Sequence, residues 1–357
     1  MKYTVIPARA LPPQLIARWA TIQQKYFAFA SPYFNPEFTL AVAAVRDDVF
    51  VGVLENKNEV VGFFPFHLGR GRVARPIGLG LSDYHGVIAE PDAEWTAEGL
   101  LRGCKLIRWE FDHLPVEQHQ FADYHTATSD SPIIDVSQEM RTFEASRDKS
   151  GRKQLRETQR KRGKLEEQAG PLTFTLHSPR QDILQQLMVW KSEQCRRTGT
   201  VDFFALEWCV KLIELIHATR KSEFGGIMSC LHAGDTLAAV HFAMYSQRVW
   251  HSWFPAYNHD LEEYSPGFIL LLEMIQAASD QGIQYIDLGK GLSLYKKRVM
   301  TGGIPVAEGC LAVPSFRNQL RQVRERAEEW GRKSFLWPAL RIPGRIIKKI
   351  ERKKRYE

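Results

Sequence analysis

VWHSWFPAYNHDLEEYSPGFILLLEMIQAASDQGIQYIDL, residues Val249 to Leu288, decides the fold. VWHSWF (Val249 to Phe254) has the aromatic and β-branched content of a strand. Ser265 stands at an N-cap position, Pro266 at the first helical position, and Gly267 to Gln281 read as a helix closed by Gly282. IQYIDL (Ile283 to Leu288) reads as a second strand. A strand, a helix and a strand joined by a connection this long predict a parallel pair with the helix packed on the sheet. Phe268, Leu271, Leu272 and Ile275 share one helix face while Ile269, Leu270 and Met274 lie on others, so the helix is expected to be largely buried.

Working outward, the same half contains GIMSCLHAGDTLAAVHFAM (Gly226 to Met244), two strands around a polar turn. FVGVLENKNEVVGFFPF (Phe50 to Phe66) has the same plan. Superposing Leu54 on Leu231 places the turn Glu55–Glu59 on His232–Thr236, an internal repeat of pattern with little identity. Each hairpin follows helical signals: Pro12 and Pro13 before QLIARWATIQQKYF, and Ser178-Pro179 before DILQQLMVWKSEQC and then LEWCVKLIELIHATR. The fold class expected is α/β (α+β), two mixed-sheet units in one chain. The boundaries read as 1–145, a basic linker helix 146–170, a second unit 171–315 and a tail 316–357.

A chain of 357 residues with 44% hydrophobic and 25% charged content has material for two ordinary cores. The start carries Arg9 inside its apolar stretch and no cleavage site, so no secretory signal is read, and no run approaches the ~20 apolar residues of a membrane span. Five scattered cysteines without a Cys-x-x-Cys pair signal neither disulfides nor a zinc site, and a cytoplasmic setting is expected. The net charge of +7 is uneven. Arg147, Lys149, Arg152, Lys153, Arg156, Arg160, Lys161, Arg162 and Lys164 face only Asp148 and Glu157, while 331–357 carries a net +8, leaving −8 on the rest. Arg152, Arg156, Arg160 and Lys164 recur every four residues and form one exposed stripe of a helix. In the tail, Phe316, Leu320, Val323, Ala327 and Trp330 make a narrow apolar seam. The following FLWPALRIPGRIIKKIERKKRYE combines apolar and basic residues in the way that suits the anionic inner face of a membrane. The basic segments lack the interleaved aromatics of a nucleic-acid module, and no such partner is expected.

The stretch WFPAYNHDLEEYSPGFILLLEMIQAASDQGIQYIDLGKGLSLYKKRVMTG, with NPEF (Asn35 to Phe38), SDY (Ser82 to Tyr84) and SGRKQLRETQRKRGKLEEQAG, resembles the CelD-like (BioF2-like) acetyltransferases of the GNAT superfamily. The layout is also similar to the FemABX aminoacyltransferases, which are tandem GNAT folds. IDLGKG and YKKRVMTGG resemble their late glycine-rich and FKxxFG-like motifs, with Lys296 at the lysine and Gly302 at the glycine; Arg298, Val299 and Met300 depart from the aromatic-glycine ending. The resemblance implies acyl transfer from a thioester donor, acyl-CoA or an acyl-carrier protein, to a sugar or lipid-linked saccharide, with no permanently bound cofactor and no metal. Fem-like aminoacyl transfer to a peptidoglycan precursor and a catalytically silent scaffold are the other functions it leaves open.

Attack of an amine on a thioester needs a base, donors for the developing oxyanion and an acid for the leaving thiolate. The donor phosphates are expected at the helix start Tyr264, Ser265, Pro266 and Gly267, where free N–H groups and the helix dipole favour anions; the same residues also read as an ordinary capped helix start. His241 lies in the strand Leu237 to Tyr245 between Ala239 and Ala243, which leave space for a substrate above a base; a satisfied buried histidine is the plainer alternative. Asp287, ending a strand before Gly289, serves either catalysis or a turn cap. Tyr257 is the candidate acid for the thiolate, Lys296 a candidate phosphate or carboxylate contact, and Asp83 and Tyr84 candidate acceptor contacts.

Overall fold

A computed structural model describes residues 1–137 and 148–313. The expected tail, with its apolar seam and membrane-facing segment, lies outside these residues, as does Arg147. Fourteen strands form one sheet: β1 (Lys2–Pro7), β2 (Val49–Asn56), β3 (Glu59–Gly69), β4 (Val73–Arg75), β5 (Ile88–Ala89), β6 (Arg108–Pro115), β7 (His125–Asp135), β8 (Leu172–Thr175), β9 (Arg220–Lys221), β10 (Phe224–Ala233), β11 (Thr236–Ser246), β12 (Val249–Tyr257), β13 (Tyr285–Asp287) and β14 (Gly302–Ala312). The helices are α1 (Pro13–Lys25), α2 (Pro36–Val45), α3 (Ala97–Gly103), α4 (Lys149–Ala169), α5 (Gln181–Thr198), α6 (Glu207–Ala218), α7 (Pro266–Asp280) and α8 (Leu294–Val299).

The repeat is real in three dimensions. Hairpins β2–β3 and β10–β11 each carry a register slip at the same place, between Leu54 and Glu55 and between Leu231 and His232. The turns are shorter than the sequence suggests, Lys57-Asn58 and Gly234-Asp235, because Lys57, Asn58 and Gly234 take the positive φ that a two-residue turn requires. The basic helix falls within the expected 146–170: it runs from Lys149 through Gly151 and Gly163 to Ala169, with Gly170 (φ 98°) after it.

The two halves are interlocked. The path through the sheet is β1-β2-β3-β4-β6-β14-β7-β13-β12-β11-β10-β8. The C-terminal strand β14 inserts between β6 and β7 of the first half, and β7 pairs with β13 of the second. Boundaries drawn in chain order therefore divide strands that share hydrogen bonds. One core is common to both halves, joining Trp19, Phe38 and Val42 to Leu187, Leu212 and Phe242. A second core lies under α3, and two more lie between α7, α4 and the second half of the sheet.

Candidate active site

The expected parallel pair is present. β12 and β13 align Val249 with Tyr285, Trp250 with Ile286 and His251 with Asp287, where the pairing stops. β12 runs on to Tyr257 paired only with β11, while Gly289 (φ 75°) and Gly291 (φ 98°) turn the chain away from the sheet after β13. The sheet thus forks beyond His251 and Asp287, leaving one edge of Ser252–Tyr257 without a strand partner.

Six elements deliver side chains to this fork. The loop between β4 and β5 brings Asp83 and Tyr84, held in shape by the Ser82 hydroxyl donating to the Tyr84 carbonyl at 2.7 Å. Tyr84 donates to Asp287 Oδ2 at 2.6 Å; Ser131 of β7 and the Gly289 amide donate to Oδ1 at 2.7 and 2.8 Å. Asp287 is therefore a buried carboxylate fixed by three donors, a stronger anchoring than a turn cap needs. His251 Nε2 lies 2.9 Å from Asp83 Oδ2, and its Nδ1 lies 3.7 Å from Asp287 Oδ1. His113 Nε2 is 3.4 Å from Asp83 Oδ1. Lys296 donates to the carbonyls of Gly289 and Lys290 at 2.8 and 3.3 Å, tying α8 to the turn. A Cβ on Gly289 would sit 2.6 Å from Asp83 Oδ2, so only glycine lets these elements close.

The electrostatics follow from burial and pairing. Burial opposes the charged form of His251, but the Asp287 and Asp83 carboxylates outweigh it and hold the imidazole pKa above its ordinary value. Burial likewise opposes the Asp83 charge, and the hydrogen bond to His251 overrides it and lowers that carboxyl. Tyr84 is pushed well above the usual phenol range by burial beside Asp287. The His251 side chain is fully covered, whereas Asp83 is 27% exposed. Asp83 is thus the member of the pair that a substrate can touch.

The helix start places the other site candidates together at the far end of β12. Ser265 adopts left-handed backbone (φ 55°) and does not cap α7 with its side chain; its hydroxyl accepts from Lys161 of α4 at 2.8 Å. Tyr264 closes the preceding 3-10 turn and Pro266 opens α7. The Tyr257 ring lies against Gly267, 3.5 Å from where a Cβ would be. Pro266 has no N–H, and the Phe268 and Ile269 amides donate to the Ser265 carbonyl at 2.9 and 3.2 Å, so the start of α7 offers the Gly267 amide, with the Lys161 ammonium beside Ser265.

His241 is not part of the cluster. It is 5% exposed, its Nε2 lies 2.7 Å from Ser252 Oγ, and burial pushes its pKa down to about 3. The flanking Ala239 and Ala243 leave no open space: α7 packs onto them through Leu270, Met274, Leu271 and Ile275. Small residues here admit a helix, which is the correction to the expected substrate space above His241. His85, Asp112 and His113 bring one ligand atom each to within 4.8 Å of one another. His85 Nε2, however, already accepts from the Asp112 and His113 amides at 3.0 and 2.9 Å, which takes the lone pair a metal would need. Between the halves opens a cavity of about 830 Å³ whose walls include Phe111, Phe203, Phe204, Trp253, Arg108, Lys191, Glu110 and Asp112. Its Asp112 wall lies 3.0 Å from His113 and so reaches the cluster.

Residues 152–297 match the profile of a family described as an acetyltransferase (GNAT) domain. No curated protein matches the chain. Among solved structures, FemX is similar at 8% identity over 90% of this chain and 100% of its own, with a TM-score of 0.60. The C-terminal domain (DUF2156) of a putative lysylphosphatidylglycerol synthetase from Agrobacterium fabrum is similar at 12% identity, over 88% of this chain and 95% of that one, with a TM-score of 0.52. A tandem GNAT protein from the clavulanic acid biosynthesis pathway is similar at 8% identity, over 88% of this chain and 100% of that one, with a TM-score of 0.50. Residues 152–297 thus carry a GNAT-type acyltransferase domain, and the chain as a whole has a tandem GNAT-like fold.

The structure joins Asp83, Tyr84, Asp287 and Lys296, and sets Tyr257, Tyr264, Ser265, Pro266 and Gly267 at the helix start. Sequence reading passed over His251, Ser131, His113 and Lys161. His251 and Asp287 are each the third residue of their strands in the structure, but the sequence places Asp287 fifth in Ile283 to Leu288, so their pairing gave no signal in the sequence.

Proposed function

We propose that the fork between β12 and β13 transfers an acyl group from a thioester donor, acyl-CoA in the first instance, to an amino or hydroxyl group of a sugar or lipid-linked saccharide. The observation that carries this reading is the Asp83–His251 pair at the point where β12 loses its partner. The donor's phosphates lie against the Gly267 amide and the Lys161 ammonium, and its pantetheine follows the free edge of β12. Backbone N–H groups of that edge hold the thioester oxygen as charge develops on it. Asp83 orients the attacking amine and takes its proton, which passes to Nε2 of neutral His251; Asp287, held by Tyr84, Ser131 and the Gly289 amide, keeps the ring aligned and stabilises the imidazolium. Tyr257, 39% exposed beside Gly267, stands at the phosphate end of β12, six residues or about 20 Å from His251, so the thiolate departing near His251 takes its proton from solvent. The cavity between the halves takes the acceptor, with Phe203, Phe204 and Trp253 offering flat faces to sugar rings and Glu110 and Asp112 offering acceptors to their hydroxyls and amine.

The family resemblance directs the choice of acceptor towards exopolysaccharide or cell-envelope saccharides. The test is thiol release from acetyl-CoA in the presence of amino-sugar oligosaccharides, with the acylated product identified by mass spectrometry. Acetylated saccharide from wild type and its loss in Asp83→Asn, folded and still binding donor, is the expected result. Undiminished transfer by Asp83→Asn would overturn the assignment of the base.

A further inference from the structure

α4 presents two opposite faces. Gly151, Leu155, Thr158 and Leu165 are buried, and Arg152, Arg156, Arg160 and Lys164 are exposed on the other side. The stripe runs from Arg152 to Lys164, about 18 Å of helix at 1.5 Å per residue. Like charges four apart oppose helix formation, so the stripe does not serve the stability of α4 itself. Its position is fixed relative to the donor entrance: Lys161, adjacent to Arg160 and one turn before Lys164, bonds Ser265 at the start of α7, and Arg162 pairs with Glu273 farther along α7. The cations therefore stand beside the place given to the donor's phosphate, and not at the acceptor cavity. None of the exposed large apolar side chains among the described residues lies on α4, and a helix that lies on a bilayer needs such side chains to enter it.

We infer that the α4 stripe docks a small acidic acyl-carrier protein, which delivers the acyl group on its phosphopantetheine arm. The inference rests on the donor reading above. A phosphopantetheine phosphate is joined directly to the carrier, so a phosphate at Lys161 and the Gly267 amide brings the carrier's body over Arg156, Arg160 and Lys164. An acidic helix of the carrier complements a cationic stripe of this length. The transfer is balanced without a further reactant. The acceptor nitrogen forms the amide bond, the C–S bond of the thioester breaks, the amine proton leaves through Asp83 to His251, and the arm's thiolate takes up a proton.

The test compares one acyl group on two donors, acetyl-loaded acyl-carrier protein and acetyl-CoA, using the full chain and an amino-sugar acceptor. Arg156→Glu with Arg160→Glu is expected to lower kcat/KM for the carrier by about tenfold or more, mostly through KM and most strongly at low salt. The same variant should keep kcat/KM for acetyl-CoA within about twofold and keep its melting temperature. Should the reversal unfold the chain, Arg156→Gln with Arg160→Gln and a salt titration of wild type read the same property: rising salt should slow the carrier reaction far more than the acetyl-CoA reaction. Equal losses on both donors, no loss on the carrier, or stripe-dependent sedimentation with anionic vesicles and no carrier effect would each overturn the inference. Wild type that uses acetyl-CoA but not the carrier refutes the docking alone, whereas use of neither donor refutes the donor site beneath it.

Discussion

Asp83 and His251 form one titrating unit, and its sign can be worked out. The carboxylates raise the folded-state pKa of His251, so the imidazole holds a proton to higher pH than an ordinary histidine and accepts one from the substrate only when neutral. kcat/KM is therefore expected to rise with pH up to that raised pKa. His251→Asn should remove this acid limb and lower turnover by roughly 10²–10⁴-fold, read from a pH-rate profile of folded protein. For stability the same shift acts the other way: the His251 contribution is complete below the unfolded pKa and is lost as pH rises through the folded one. Gly289→Ala is expected to displace Asp83, because the added Cβ falls 2.6 Å from Oδ2 at a φ of 75°. It should cost about 1–2 kcal/mol in a denaturant titration and cut turnover together with it. His241→Ala should leave the acid limb in place while costing about 1–3 kcal/mol, since it leaves Ser252 buried without its partner.

At the scale of elements, the start of α7 and the bulged hairpins explain how the fork is supplied. Gly267 has room for a Cβ in ordinary contact with the Tyr257 ring, but a large side chain must push that ring into the donor's path. Gly267→Trp is accordingly expected to weaken donor binding in calorimetry while the melting temperature changes little; equal binding would place the donor elsewhere. The strand–helix–strand unit was legible because its signals are local: proline at the helix start, glycine at its end, and apolar periodicity between. The paired bulges after Leu54 and Leu231 were not legible, since a bulge is a property of two strands in register. His241 was misjudged for a related reason. Alanines beside it signal closeness to something, and only the packing of α7 reveals that a helix, not a substrate, fills the space.

The whole molecule is held together by exchange of strands. A fragment of residues 1–145 lacks β14 and leaves β6 and β7 with open edges, so it is expected to be unfolded or to aggregate, as circular dichroism and sedimentation would record. The full chain should lose its described core in a single thermal transition, because one hydrophobic cluster belongs to both halves. Burial lowers His85 and His241 to about 3 and His177 to about 4. A lowered folded pKa means stability present above the unfolded value near 6.5 and lost as pH falls towards the folded one. The melting temperature is expected to decline steadily between about pH 6.5 and pH 3, and a flat profile would contradict these burials.

What the sequence determined by itself was everything carried by neighbours along the chain: the α/β class, the repeated hairpins, the parallel strand pair with its buried helix, the basic stripe, and the separate candidacies of Asp83, Tyr84, Asp287 and Lys296. Composition and periodicity act over a few residues, and these features need no more than that. What only the tertiary structure decided was which candidates meet. Asp83 and His251 are separated by 168 positions, and Tyr84 reaches Asp287 across 203. Their contact depends on β7 and β14 crossing between the halves and on a glycine that lets the loops close. Long-range pairing is set by the packing of whole faces against one another, and no stretch of the sequence contains that information alone.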